Sequence, residues 1–322
     1  MPCVSSTSRK KKPTAKSRSR RPGGNPAKVD VKPAGAREWV AGARVRTLPL
    51  AIAPVLVGTG ASLVTDETLH WVNALLCLAV ALALQIGVNF ANDYSDGIRG
   101  TDANRVGPSR LTASGAAQPR HVLTVALVFF AVAAVAGLVL TVLTGQWWFL
   151  VVGAAAIAAA WFYTGGRRPY GYAGLGELFV FIFFGLVATL GTTFVQIERV
   201  NQESWLGAVA VGLFACAVLM VNNIRDIPSD RLSGKRTLAV VVGPTVARAA
   251  YIGFVLVPFA IAVVLALFYP LAWLSLFVLL AILPAILITL TARTAKELVL
   301  ALQLTSLSGL AYAAIVGMAL AL

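Results

Sequence analysis

Long apolar runs alternate with short polar breaks along the whole chain, and that rhythm predicts its elements. Nine runs stand out, at 48–65, 71–91, 121–144, 147–163, 175–197, 204–222, 246–268, 270–291 and 298–322. About 20 apolar residues wound as a helix cross the hydrocarbon core with every backbone polar group satisfied internally. The pattern therefore predicts an all-α fold, a polytopic bundle of nine transmembrane helices. The first and fourth runs are short and rich in Gly or Ala, so their ends are loosely defined by sequence.

Composition agrees, because only 12% of residues are charged and 58% are hydrophobic. The net charge of +14 invites a nucleic-acid reading, but its placement argues for a membrane. Threading nine spans gathers every Lys and Arg except Arg199 on the side of the N-terminus. That is the positive-inside asymmetry. It predicts a multi-pass cell-membrane protein with a cytoplasmic N-terminus and an extracytoplasmic C-terminus. Residues 1–36 are rich in Lys, Arg, Ser, Pro and Gly and read as a disordered basic tail. Its expected role is to orient the chain and touch anionic membrane lipid, with no nucleic acid as partner. No cleavable signal peptide is expected, since no apolar core follows the basic stretch before residue 48. The intramembrane domain is then 37–322.

Cys3 falls in the tail, whereas Cys77 and Cys216 fall inside spans and read as small buried apolar residues. His70 and His121 stand at span ends without matching ligands nearby, which disfavours a histidine metal site.

The polar breaks on the cytoplasmic side are unequal. Those after the second span (92–120) and the sixth (223–245) are long and rich in charge, while the outer loops are short. The first begins "NDYSDGIRGTD" and the second "NNIRDIPSDRLSGKRT". Each opens with asparagine at a helix end and continues with spaced aspartates, an Arg and a Gly. They lie four spans apart, so their helices run in the same direction, as in a weak parallel internal repeat.

Residues three, four and seven apart share a helix face. Asn89, Asn92 and Asp96 satisfy that spacing, with Asp93 about 100° around the helix. Gly97 and Gly100 are expected to end this helix ahead of Asp102. In the second cluster Asn222, Asp226 and Asp230 are four apart, and Pro228 is expected to end or kink the helix between the last two. Carboxylate and amide oxygens without His or Cys suit a hard cation such as Mg²⁺, which binds through few carboxylates plus substrate phosphate oxygens. Arg99, Arg105 and Arg110 flank the first cluster, and Arg225, Arg231, Lys235 and Arg236 the second. Acids to hold metal beside cations to neutralise phosphate are what a diphosphate requires.

At these residues the chain resembles the UbiA-type intramembrane aromatic prenyltransferase superfamily, and within it the 1,4-dihydroxy-2-naphthoate polyprenyltransferases of menaquinone synthesis. The resemblance covers about 40–322. The superfamily's first motif commonly spaces its aspartates by three and then four; here Gly100 takes the third place and Asp102 follows. "GPSRLTASG" (107–115), "YTGGRRPYGYAGLGELFVFIFFG" (163–185) and "NNIRDIPSDRLSGKRTLAV" (222–240) are also similar to that branch. The chain departs from it at Val241, where many relatives carry Arg.

The resemblance implies transfer of a polyprenyl chain from its diphosphate to 1,4-dihydroxy-2-naphthoate, releasing CO₂ and diphosphate and giving demethylmenaquinone. It implies Mg²⁺ as cofactor, with Asp93, Asp96, Asp226 and Asp230 on the metal–diphosphate and Asp102 beside them. Asn89, Asn92, Asn222 and Asn223 would orient these ligands or contact phosphate. Arg225, Lys235, Arg110 and Arg236 would neutralise the diphosphate. Tyr163 and Tyr94 would line the acceptor pocket or face the allylic cation, and Glu177 is either a polar site residue or a first-turn acid favoured by the helix dipole. Two other readings remain open from the residues: a different aromatic acceptor such as 4-hydroxybenzoate, and a cation-coupled transporter.

Overall fold

The computed structural model describes residues 2, 33–102 and 110–322. The tail up to residue 32, with Cys3, lies outside the described residues, as does Arg105. All nine apolar runs are helical, and the described residues contain no strand. Helix α1 (Ala36–Gly42) passes through one 3₁₀ turn into α2 (Pro49–Leu63), and the two segments meet at 44°. Helices α3 (Trp71–Arg99) and α4 (Pro119–Thr144) precede a short α5 (Phe149–Phe162). Then come α6 (Gly176–Ile197), α7 (Gln202–Leu232), α8 (Leu238–Ala266), α9 (Pro270–Thr291) and α10 (Ala295–Ala321).

Of the nine runs expected to span, the described residues form seven helices long and apolar enough to cross, or eight if the bent α1–α2 pair is one span, while α2 and α5 by themselves fall short. The reason is length. The 15 residues of α2 and the 14 of α5 reach only about 21–22 Å, short of a hydrocarbon core of about 30 Å.

Helix α7 runs through the middle of the bundle, packed by α2, α6, α8 and α10. Its Phe214, Met220 and Val221 meet Tyr251 and Phe259 of α8 and Tyr312 of α10 in the largest apolar cluster. Small residues set the closest approaches, as is common where helices pack in lipid. A Cβ on Gly60 would lie 2.1 Å from the carbonyl oxygen of Gly317, so α2 and α10 touch backbone to backbone. Gly185 lies as tightly against Ala208 and Gly212 of α7, within a π-helical turn at Phe181–Val187.

Polar extensions of α3 and α7 carry the two aspartate clusters. Helix α3 continues past its apolar run to Arg99 and stops at Gly100, whose φ of 71° favours glycine. The Thr101 amide then donates back to the Asp96 carbonyl. Helix α7 does not end at Pro228, as the sequence suggested, but continues to Leu232. It closes the same way: Gly234 takes a φ of 75° and the Lys235 amide donates to the Asp230 carbonyl. The repeat is thus visible in the caps, which match Asp96 with Asp230, so that Asp226 lies one turn deeper. Helix α8 is broken at Gly243 (φ 80°) ahead of Pro244, and its long apolar stretch follows that break.

Candidate active site

A cavity of about 330 Å³ lies between the polar ends of α3 and α7 and the apolar bodies of α2, α5 and α6. Asn89, Asn92 and Asp96 line its polar end from α3, and Asn222, Asn223, Asp226 and Asp230 from α7. Arg110, Tyr163 and Lys235 complete that end. Arg44, Thr47 and Gln85 also face the cavity, and the rest of the wall is mostly apolar and reaches Val55, Cys77, Leu140 and Val195. Cys77 precedes Asp96 by 19 residues on α3, which corresponds to about 28 Å of helix.

Asp96 is held by two side chains from beyond its own helix. Lys235 Nζ donates to its Oδ2 at 3.0 Å, and the Tyr172 hydroxyl donates to its Oδ1. All three meet at one point, because Lys235 Nζ also lies 4.8 Å from the centre of the Tyr172 ring. Burial opposes the charge on Lys235, but Asp96 and Tyr172 outweigh it, so its pKa is raised above 10.5. Asp226 is gripped by its neighbour Arg225, whose Nε and Nη2 both approach at 2.7 Å. The same Nη2 donates to Asn222 Oδ1 at 2.8 Å. Arg225 is therefore spent on holding Asp226 and Asn222, and it does not line the cavity. The Thr237 hydroxyl donates to Asp230 Oδ2 at 3.4 Å.

Other expected site residues stand outside the cavity lining. Asp93 is 2% exposed, and its two oxygens accept the backbone N–H groups of Leu111 and Thr112, each at 2.9 Å. It anchors the turn that follows Arg110. Asp102 faces Arg110 Nε at 3.5 Å. Tyr94 packs against Trp161 in an apolar cluster beside α4. Arg236 is exposed and joins the site only through its backbone N–H, which donates to the Tyr172 carbonyl. Glu177 is buried behind Asn223, whose Nδ2 donates to Oε1 at 2.9 Å. Val241 is exposed on α8.

The connection between α5 and α6 supplies what sequence reasoning missed. Thr164 donates its hydroxyl to Asn92 Oδ1 at 2.7 Å, and Arg99 caps the carbonyls of Thr164 and Gly166. Tyr170 stacks on Phe179 with ring centres 4.0 Å apart and meets Tyr163 edge-on at 5.5 Å, forming an aromatic wall of the cavity. The signal was present, since these residues lie in "YTGGRRPYGYAGLGELFVF", but only Tyr163 and Glu177 were singled out there.

At the polar end the candidate metal donors are oxygens, which fits a hard cation. Among the described residues no three His, Cys, Asp or Glu converge closely enough to cage a metal. A cation there would be held by one or two carboxylates and would take its remaining oxygens from a substrate, as Mg²⁺ commonly does.

Comparison with known proteins gives a consistent picture. Residues 51–321 match the UbiA prenyltransferase family. The 1,4-dihydroxy-2-naphthoate octaprenyltransferase of Mycobacterium tuberculosis is 55% identical over 233 residues, covering 72% of this chain and 79% of that one. The fold is similar to that of a UbiA homologue from Aeropyrum pernix K1, with TM-score 0.61 at 20% identity over 84% of this chain and 96% of that one. It is also similar to a UbiA homologue from Archaeoglobus fulgidus bound to GPP and Mg²⁺. There the TM-score is 0.58 at 14% identity, over 87% of this chain and 99% of that one.

Proposed function

Because this chain belongs to the UbiA prenyltransferase family, we propose that it transfers a polyprenyl chain from its diphosphate to 1,4-dihydroxy-2-naphthoate, giving demethylmenaquinone. The observation that carries the reading is the make-up of one cavity: acids and cations at one end, and a mostly apolar wall that extends along α3 to Cys77 at the other. A diphosphate fits the first and an isoprenoid tail the second. The naphthoate acceptor is supported by the naming of the M. tuberculosis relative.

Lys235 and Arg110 bind and neutralise the donor's diphosphate, while Asn92 and Asn222 orient it. Asp96 on α3 and Asp226 and Asp230 on α7 would hold Mg²⁺ through one or two carboxylates to an ion, and the metal when bound supplies charge stabilisation to the departing diphosphate. The allylic C–O bond breaks and its electron pair leaves with diphosphate. The ring carbon of the acceptor bonds to the allylic carbon, and the carboxylate departs as CO₂, returning its electron pair to the ring. Tyr163, Tyr170 and Phe179 bound the cavity with aromatic faces suited to an allylic cation and a stacked naphthalene. Their packing keeps water from the cation.

The proposed topology counts the bent α1–α2 pair and the short α5 each as a crossing, which puts the aspartate clusters and the N-terminus on the cytoplasmic side and the C-terminus outside, as the Lys and Arg asymmetry supports. The test is turnover of labelled polyprenyl diphosphate by purified full-length protein in detergent with Mg²⁺. Decarboxylative transfer to the naphthoate is expected, and transfer to 4-hydroxybenzoate alone would overturn the acceptor assignment.

A further inference from the structure

Four asparagines reach the polar end of the cavity, and each is held by a partner behind it. Asn92 receives the Thr164 hydroxyl on Oδ1, and Asn222 receives Arg225 on Oδ1, so both turn their NH₂ groups toward the remaining space. Asn89 and Asn223 are held the other way round. Asn89 Nδ2 donates to the Ala43 carbonyl at 3.0 Å and to Thr47 Oγ1 at 3.2 Å, on the α3 face that also carries Asp96. Asn223 is paired with Glu177. Its Nδ2 donates to Glu177 Oε1 at 2.9 Å, and its Oδ1 takes no partner from the described residues. A carboxylate oxygen only accepts, so it fixes which end of the amide it holds.

The location of this reversed amide matters. Asn222, Asp226 and Asp230 are four residues apart and form one row along α7, whereas Asn223 is turned about 100° from that row. Its partner Glu177 follows Gly176, where an added Cβ would lie 3.4 Å from the Tyr163 ring. Asn223 therefore belongs to the aromatic side of the cavity rather than to the acid row. Glu177 is 4% exposed, and its second oxygen, Oε2, is buried with no hydrogen-bond partner. A buried carboxyl satisfied at one oxygen alone calls for an explanation.

We propose that Glu177 is a positioning residue that locks the Asn223 amide with its oxygen toward the cavity, where it accepts a hydrogen bond from a ring hydroxyl of the aromatic acceptor. The inference rests on the prenyl-transfer reading and adds to it the side of the cavity on which the acceptor is read. Of the two amides held through nitrogen, Asn89 stands on the Asp96 face of α3, and Asn223 alone stands on the aromatic side, where its oxygen faces a hydroxyl. Without Glu177 the Asn223 amide is free to turn over, and the acceptor loses its partner.

Two substitutions test it in purified full-length protein, with acceptor and donor KM measured separately. Glu177→Gln keeps an accepting oxygen at the same reach, and both constants should stay within about threefold of wild type. Glu177→Asp keeps the charge but is one methylene too short, and the acceptor KM should rise about tenfold, the scale of one hydrogen bond, with the donor KM nearly unmoved. Glu177→Leu should match Glu177→Asp, and the Asp variant guards against a Leu variant that fails to fold. The proposal is overturned if Gln is as poor as Asp, which would mean the charge itself is needed, or if both KM values rise together. It is also overturned if Asp leaves the acceptor KM unchanged. Failure of wild-type protein to use the naphthoate would instead count against the function proposed above, since the KM pattern can be read with whichever phenolic acceptor is used.

Discussion

Replacing Asp93 by Asn changes one atom of a motif aspartate and separates two roles that the sequence had merged. If Asp93 ligates metal, the loss falls on Mg²⁺. The structure gives it another task, accepting the N–H groups of Leu111 and Thr112 at 2.9 Å each. Asn offers one accepting oxygen, so its NH₂ group must face the other N–H. A buried donor left unsatisfied costs about 1–3 kcal/mol, and the surviving bond loses its charge assistance, for a total of about 2–4 kcal/mol. At tenfold per 1.4 kcal/mol, the seating of the turn after Arg110 weakens by up to about 30- to 1000-fold. Arg110 lines the cavity and should lose its place with the turn. The assay is initial-rate prenyl transfer, titrated first against donor and then against Mg²⁺. Asp93→Asn should raise the donor KM by tenfold or more while the Mg²⁺ giving half activity shifts less than about twofold. Asp226→Asn should do the reverse. An Asp93→Asn enzyme whose Mg²⁺ requirement rises as in Asp226→Asn would refute the anchoring role.

Lys235→Met removes the cation that pairs with buried Asp96 at 3.0 Å, which should cost about 3–5 kcal/mol of stability because the carboxylate is left buried. A double variant that adds Asp96→Asn should recover the melting temperature in detergent but not the turnover; recovery of both would show that Lys235 has no role toward substrate. The raised pKa of Lys235 fixes the sign of a pH effect: the contribution of the pair is complete below pH 10.5 and is lost only as pH rises through the higher folded value. Melting temperatures of wild type and Lys235→Met should therefore keep a constant difference from about pH 7 to 9, and a gap that closes across that range would contradict the assignment. Gly60→Leu forces a side chain where even a Cβ would lie 2.1 Å from the Gly317 carbonyl oxygen, and the protein should fail to yield a monodisperse peak in detergent. A normal elution and melting profile for that variant would mean that α2 and α10 can separate freely.

The apolar pattern made the helices legible because a backbone in lipid has no other way to satisfy its hydrogen bonds. It misjudged the ends, since the runs stop at the first polar residues whereas α3 and α7 carry on to Arg99 and Leu232. Those added turns hold the aspartates. Pro228 was expected to end or kink the helix, and α7 continues past it to Leu232. Periodicity grouped Asn89, Asn92 and Asp96 correctly on one face, and the cavity is lined by all three. Nothing local could show that Asp93 faces Leu111 and Thr112, or that Tyr172 folds over to Asp96, because both partners arrive from loops whose paths depend on tertiary packing. For the same reason Arg225 read as a phosphate cation, although its guanidinium is turned onto its own neighbour.

The backbone contact between Gly60 and Gly317 also has a consequence for how the molecule is made. A ribosome delivers α2 into the bilayer long before Gly317, 257 residues after Gly60 in the chain, is made, so its glycine face must first be solvated by lipid. Both α2 and α10 contribute to the cavity wall, through Leu50, Pro54 and Leu302. The wall therefore closes only once α10 has followed α2 through all the intervening helices, and the reaction chamber is completed by an element made long after its first wall.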